Sequence, residues 1–191
     1  MAPSPDEAQV VEACRRGDQE AFTLIYETYK DAVHTLAFYW TRDLEAARDI
    51  TQTVFLKVFR SIAGFRSDAS FRSWLYRLTV NSCFDHQKRT RRAVVVPLQS
   101  EVVEDSAVAE EPTAEERQTQ RERAEAVRSA VMRLSPRLRN VLVLKYLHGL
   151  RYGEIASLLR CSVGTVSSRL NRARETVAKQ LRAFAREGDG L

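Results

Sequence analysis

Cysteine is scarce: Cys14, Cys83 and Cys161 stand far apart, odd in number and without a C-x-x-C spacing. This argues against a disulfide framework or thiolate metal site, and for buried thiols in a reducing compartment. Three histidines, His34, His86 and His148, share no ligand spacing, so no metal is expected. Only seven glycines and five prolines interrupt the chain. There is no glycine-rich loop to cradle phosphate, no convincing alternating strand and no repeat of solenoid period. No nucleophile is paired with a base, so neither an enzyme nor a cofactor is expected. No apolar run reaches about 18 residues, and acids replace an apolar segment near the start. The expectation is a protein neither secreted nor membrane-spanning, working in the cytoplasm.

What is present is helical periodicity over 191 residues with 44% hydrophobic content, enough to bury the core of one or two small all-α domains. Charge divides the chain. Residues 1–92 carry a net +2, residues 93–116 a net −7 and residues 117–191 a net +10. A basic C-terminal module suits a polyanion partner, and the acidic strip needs a different role.

The stretch Tyr152 to Arg174 has the pattern of a helix-turn-helix. Ile155, Leu158 and Leu159 form one apolar stripe, and Ala156 is small enough for close helix crossing. Past the Arg160-Cys161 turn, Ser162 can cap a helix whose Val166, Leu170, Ala173, Val177 and Leu181 face a core. Its other face presents Thr165, Ser167, Ser168, Arg169, Asn171 and Arg172. Such side chains bond phosphates and base edges, and a major groove admits a helix.

Residues 6–92 read as one helical block, with Asp6, Asp18, Asp43 and Ser70 as helix openers and Gly17 as a stop. Phe22, Ile25, Tyr26, Tyr29, Val33, Leu36 and Trp40 have core spacing, and no functional role is expected of the aromatics. On the helix after Asp43, a surface stripe of Asp49, Gln52, Thr53 and Leu56 mixes polar and apolar groups; alone, such a stripe is more often a solvated face than a docking one. The helix after Ser70 sets Phe71, Trp74, Leu75, Leu78 and Ser82 inward, among Arg66, Arg72, Tyr76, Arg77, Asn81, His86, Lys88, Arg89, Arg91 and Arg92. Cations interleaved with aromatics fit single-stranded nucleic acid, although a basic helix end over a core tryptophan has the same composition. Residues 93–112, with Pro97 and Pro112, read as an acidic linker. A C-terminal block, 113–186, opens at a Thr113 to Glu116 capping box, and its next helix starts at Ser135-Pro136. Val127, Val131, Leu134, Leu138, Val141, Leu142 and Leu144 are the expected core positions there.

Four segments, in this order and spacing, resemble the extracytoplasmic-function group of sigma-70-like transcription initiation factors. They are Asp49-x-x-Gln52-x-x-Phe55-Leu56; Phe71-x-x-Trp74-Leu75-Tyr76-Arg77 running to Asn81, Asp85 and Arg89; Leu134-Ser135-Pro136-x-x-Arg139; and Glu154-Ile155-Ala156 followed by Gly164-Thr165-Val166-x-Ser168-Arg169 and Arg172-Ala173-Arg174. The resemblance implies two helical domains, regions 2 and 4, on a flexible linker. It implies that Asp49, Gln52, Thr53, Phe55 and Leu56 bind core RNA polymerase at the clamp coiled-coil of its largest subunit, with the flap as a further contact. By the same analogy Phe65, Arg66, Ser67, Asp68, Ala69, Ser70 and Asn81 would receive a base flipped from the −10 element. Trp74, Arg77, Lys88 and Arg89 would hold the strand, Trp74 also being a candidate core residue. The face from Thr165 to Arg172 would read the −35 element. The linker is either a passive tether or, as in related proteins, a segment threaded through the polymerase cleft, and related proteins are held inactive by an anti-sigma factor. Ser167 and Arg151 depart from the residues common in this family, which leaves the −35 sequence open. The rivals are a free-standing helix-turn-helix repressor or activator, and an RNA-binding adaptor.

Overall fold

A computed structural model describes residues 5–65, 70–90 and 114–188, with side chains over 7–65, 70–90 and 120–184. Arg66 to Ala69, the linker at 93–112 and Thr113 of the expected capping box lie outside the described residues. The chain divides into two compact units, Met1–Gln99 and Ser100–Leu191. The described residues of both are helical, without strands.

The first unit holds α1 (Pro5–Arg15), α2 (Gln19–Thr41), α3 (Leu44–Ser61), a 3-10 turn (Ile62–Gly64) and α4 (Phe71–Thr90). Asp18 caps α2 by accepting the Glu20 and Ala21 N–H groups at 2.9 and 3.1 Å. Asp43 does the same for α3 with Glu45 and Ala46 at 3.0 and 3.2 Å. Each cap satisfies donors the helix itself leaves open. Gly17, at φ +91°, ends α1 as its type predicts. Arg42 ends α2 in the same left-handed region at φ 63°, tolerated because its N–H reaches Phe38 O at 2.7 Å.

α2 and α3 pack on each other, and α4 packs on both. Val33, Leu36, Val54, Val58, Leu75 and Val80 are fully buried between them. Each contributes about 1.5–3 kcal/mol by leaving water. Because α4 meets two neighbours, its buried arc is wide. One stripe runs through Phe71, Leu75, Thr79 and Ser82 and a second through Tyr76, Val80 and Cys83. Tyr76, expected among the surface cations, therefore lies in the core, 1% exposed. Phe22 and Tyr26 shift the other way: half-buried and exposed, they do not belong to the core their spacing suggests.

The second unit holds α5 (Ala114–Arg133), α6 (Pro136–Tyr146), α7 (Tyr152–Leu159) and α8 (Val163–Gly188). α8 is the spine on which the other three pack. Its Val166, Leu170 and Ala173 are buried with Val141, Leu144 and Ile155. Val177 and Leu181 are only half-buried and Val127 is exposed, so the core thins along α8 beyond Ala173. Pro136 opens α6 at its first turn, but the Ser135 side chain makes no capping bond. The buried Arg139 works there instead: its Nη1 donates to Leu134 O at 3.0 Å and Met132 O at 3.1 Å, closing the end of α5.

Candidate nucleic-acid and protein interfaces

α3 projects the residues of the first stripe, and burial divides them. Asp49, Gln52 and Leu56 are exposed, Thr53 is half-buried, and Phe55 is buried against Tyr26 at 4.8 Å between ring centroids. Phe55 therefore shapes this surface from behind, because the alternate side of α3 faces α2. Leu56 continues into Phe59, one turn on and 60% exposed. With Phe22 and Tyr26 of α2 they line an open groove of about 770 Å³, edged by Lys30, Asp31, His34, Arg48 and Gln52. Burial and the Arg48 charge hold the His34 imidazole below its ordinary pKa against an opposing pull from Asp31, so it favours the neutral form. An exposed apolar floor with polar edges is what an amphipathic helical partner requires. Phe22, Tyr26 and Phe59 escaped the sequence reading. The Gln52, Leu56, Phe59 spacing of four and three carried the signal for Phe59.

The second set lies along α4. Ser70 is exposed, and its Oγ accepts the Ser73 N–H at 3.2 Å, capping the helix. Phe65 is buried in an aromatic cluster with Phe71 and Trp74, ring centroids 5.9 and 5.1 Å away. Buried there, it offers no open face to a base. Trp74 is half-buried in the same cluster, joining core and surface. Arg77, Asn81 and Lys88 are exposed at helical spacing from Trp74, with Arg89 beside them. Lys57 ties α3 to this helix, donating to Ser82 Oγ at 2.9 Å and pairing with Asp85 at 3.8 Å. Such a surface can neutralise phosphates and hold an unstacked base on one rigid helix.

The third set lies on α8. The Arg160 turn adopts φ 52°, and its strain is offset by the hydrogen bond from Cys161 N to Ala156 O at 3.0 Å. Ser162 Oγ then accepts the Thr165 N–H at 3.1 Å and lies 2.9 Å from Thr165 Oγ1. The Glu154 carboxylate accepts the Arg151 N–H at 2.7 Å, fixing the start of α7. Ser168, Asn171 and Arg172 are exposed, while Thr165, Ser167 and Arg169 are half-buried. Ser168 Oγ donates to Thr165 O at 3.1 Å, leaving its oxygen lone pairs outward. Arg169 Nη1 points back to Cys161 Sγ at 3.9 Å. A polar, cationic helix face over a buried apolar stripe, held by a capped turn, has the form that a major groove can admit. Among the described residues no cluster of His, Cys, Asp or Glu could hold a metal, and no helix is long and apolar enough to cross a membrane.

The Sigma-70 region 2 family model matches residues 25–93, and that of Sigma-70, region 4 matches residues 124–177. The chain is 33% identical to the RNA polymerase sigma-H factor of Pseudomonas aeruginosa, over 98% of this chain and 100% of that one. It is 32% identical to the ECF RNA polymerase sigma-E factor of Escherichia coli, covering 93% of this chain and 95% of its relative. Among solved structures, its fold matches RpoE in complex with the anti-sigma factor NepR from Bartonella quintana, at TM-score 0.66 and 19% identity, covering 84% and 96% of the two chains. It also matches CnrH in complex with the cytosolic domain of CnrY, at TM-score 0.64 and 22% identity, covering 93% and 97%.

Proposed function

The chain belongs to the extracytoplasmic-function sigma-70 family and acts as a sigma factor in transcription initiation, and from that premise we propose how its surfaces divide the work. The α3 stripe and the groove beside it bind the clamp coiled-coil of core RNA polymerase, Asp49 and Gln52 setting orientation and Leu56 supplying apolar contact. The α4 surface of Trp74, Arg77, Asn81, Lys88 and Arg89, with the loop residues Arg66 to Ser70, captures the melted −10 strand. Thr165, Ser167, Ser168, Arg169, Asn171 and Arg172 of α8 read the −35 duplex, and the second unit meets the flap. Bound to the polymerase, the acidic segment 93–112 occupies the cleft where nucleic acid later runs. The domains are 6–92 and 113–186. No covalent chemistry is asked of the chain: tighter binding to the open strand than to duplex shifts the promoter toward melting. Catalysis belongs to the polymerase, and the protein works beside it in the cytoplasm. An anti-sigma factor, as NepR is to its RpoE, holds the chain inactive.

One observation carries this reading over the repressor: the exposed Gln52, Leu56, Phe59 face lies in the unit that lacks the duplex-reading helix. A free-standing operator binder needs no such face. The test is gel filtration of the purified chain with core polymerase, followed by transcription from genomic fragments. Co-elution with discrete new start sites is expected. Asp49→Ala and Gln52→Ala lose co-elution, whereas Arg169→Ala and Arg172→Ala keep it and lose −35-dependent initiation. Tight duplex binding by the free chain, with no co-elution, would establish the repressor instead.

A further inference from the structure

Arg169 is half-buried although it belongs to the outward set on α8, while Arg172, one turn on, is exposed. The difference lies in the turn. Cys161 is fixed by its own N–H bond to Ala156 O at 3.0 Å, after the left-handed Arg160 and before the Ser162 cap. Its Sγ, itself half-buried, accepts from Arg169 Nη1 at 3.9 Å. One guanidinium N–H is thereby turned toward a soft, weak acceptor, and the other donors of that planar group remain for a ligand.

We infer that Cys161 is a positioning residue for promoter recognition, holding the Arg169 guanidinium in a set conformer against the turn before DNA arrives. The inference rests on the assignment of α8 to the −35 duplex. A long arginine side chain loses much rotamer freedom when it docks, and a pre-set conformer reduces that loss. Sulfur suits the task because its bond is weak. It orients the group without competing strongly with a phosphate or guanine for it. Arg172, exposed one turn on, has no such tether among its described contacts.

The test uses the full chain bound to core polymerase, with promoter fragments selected from a library randomised across the −35 region. Cys161→Ala weakens promoter binding by about 3- to 10-fold, the scale of one modest hydrogen bond. Cys161→Ser, which keeps a small acceptor in the turn, recovers most of it. In an Arg169→Ala background Cys161→Ala adds nothing, since the tether has lost its object. A merely structural cysteine would give the same loss in both backgrounds, and that result overturns the inference. So does full binding by Cys161→Ala where Arg169→Ala is impaired. If Arg169→Ala and Arg172→Ala both bind as tightly as the parent, the assignment of α8 itself fails and the inference falls with it.

Discussion

The Arg139 guanidinium, 1% exposed, donates to the backbone carbonyl of Leu134 at 3.0 Å, across the break between α5 and α6. A buried charge is stable only when hydrogen-bonded, and this one satisfies carbonyls that the end of α5 leaves open. Replacing it by alanine leaves those carbonyls without their donor and a cavity behind. Arg139→Ala is expected to cost about 2–4 kcal/mol, from the carbonyls left without a donor and the space left unfilled, with Arg139→Lys recovering part through a single-point donor. Hydrogen exchange of the full chain should show the loss in α6 and α8 and leave α2 to α4 unchanged. Unaltered protection in α6 would show that the guanidinium is dispensable there.

The three thiols differ in access. Burial pushes the Cys83 thiol up to about 12, and burial with the neighbouring Asp18 charge raises that of Cys14. Cys161 is half-buried in the turn. Only the thiolate attacks an alkylating reagent, so at neutral pH Cys161 should be labelled first and Cys14 and Cys83 only on unfolding. Peptide mass mapping after brief iodoacetamide treatment reads this directly. Equal labelling of all three would contradict the burial of α1 and α4.

Much of this architecture is legible in residue types. The aspartate caps on α2 and α3, the Gly17 stop and the Val166, Leu170, Ala173 core face all follow from local chemistry that tertiary packing leaves intact. Tyr76 was not legible, because the buried arc of α4 depends on how many neighbours it meets. Arg139 was not legible either: its motif marked it, but only the meeting of α5 and α6 shows carbonyls needing a donor. At the site, Asp49, Gln52 and Leu56 could be placed outward from period alone. Phe55 and Phe65 could not be separated from them, since motif membership says nothing of the direction a side chain takes.

His34 gives the first unit a pH dependence. Its imidazole is held below the ordinary value of 6.5, first by burial and then by the Arg48 charge. Above that value both folded and unfolded chains carry it neutral, and its full contribution to stability is present. As pH falls below it, the unfolded chain takes up the proton first, and stability declines until the lower folded value is passed. Trp40 and Trp74, the two tryptophans, both lie in this unit. Their fluorescence should give a urea midpoint that falls between about pH 7 and about pH 5 more steeply in the parent than in His34→Gln. Identical slopes would remove His34 as the cause.

Phe55 and Phe59 stand one turn apart on α3 and should fail in opposite ways. Phe55 is 4% exposed and packs on Tyr26, so Phe55→Ala opens a cavity and costs about 3–5 kcal/mol. Phe59 is 60% exposed on the groove and touches Phe22 by an edge at 5.2 Å. Phe59→Ala should change stability by about 0.5–1.5 kcal/mol, chiefly the loss of that aromatic pair. Its binding effect is larger. An aromatic side chain buried at the centre of an interface is worth about 2 kcal/mol or more, so affinity for core polymerase should fall at least about 30-fold. Leu56→Ala, 49% exposed beside it, should follow Phe59 in the same direction. The measurement pairs urea unfolding with titration of core polymerase. A Phe59→Ala protein that folds and binds like the parent would move the polymerase contact off this groove, because no other exposed aromatic side chain lies on α3.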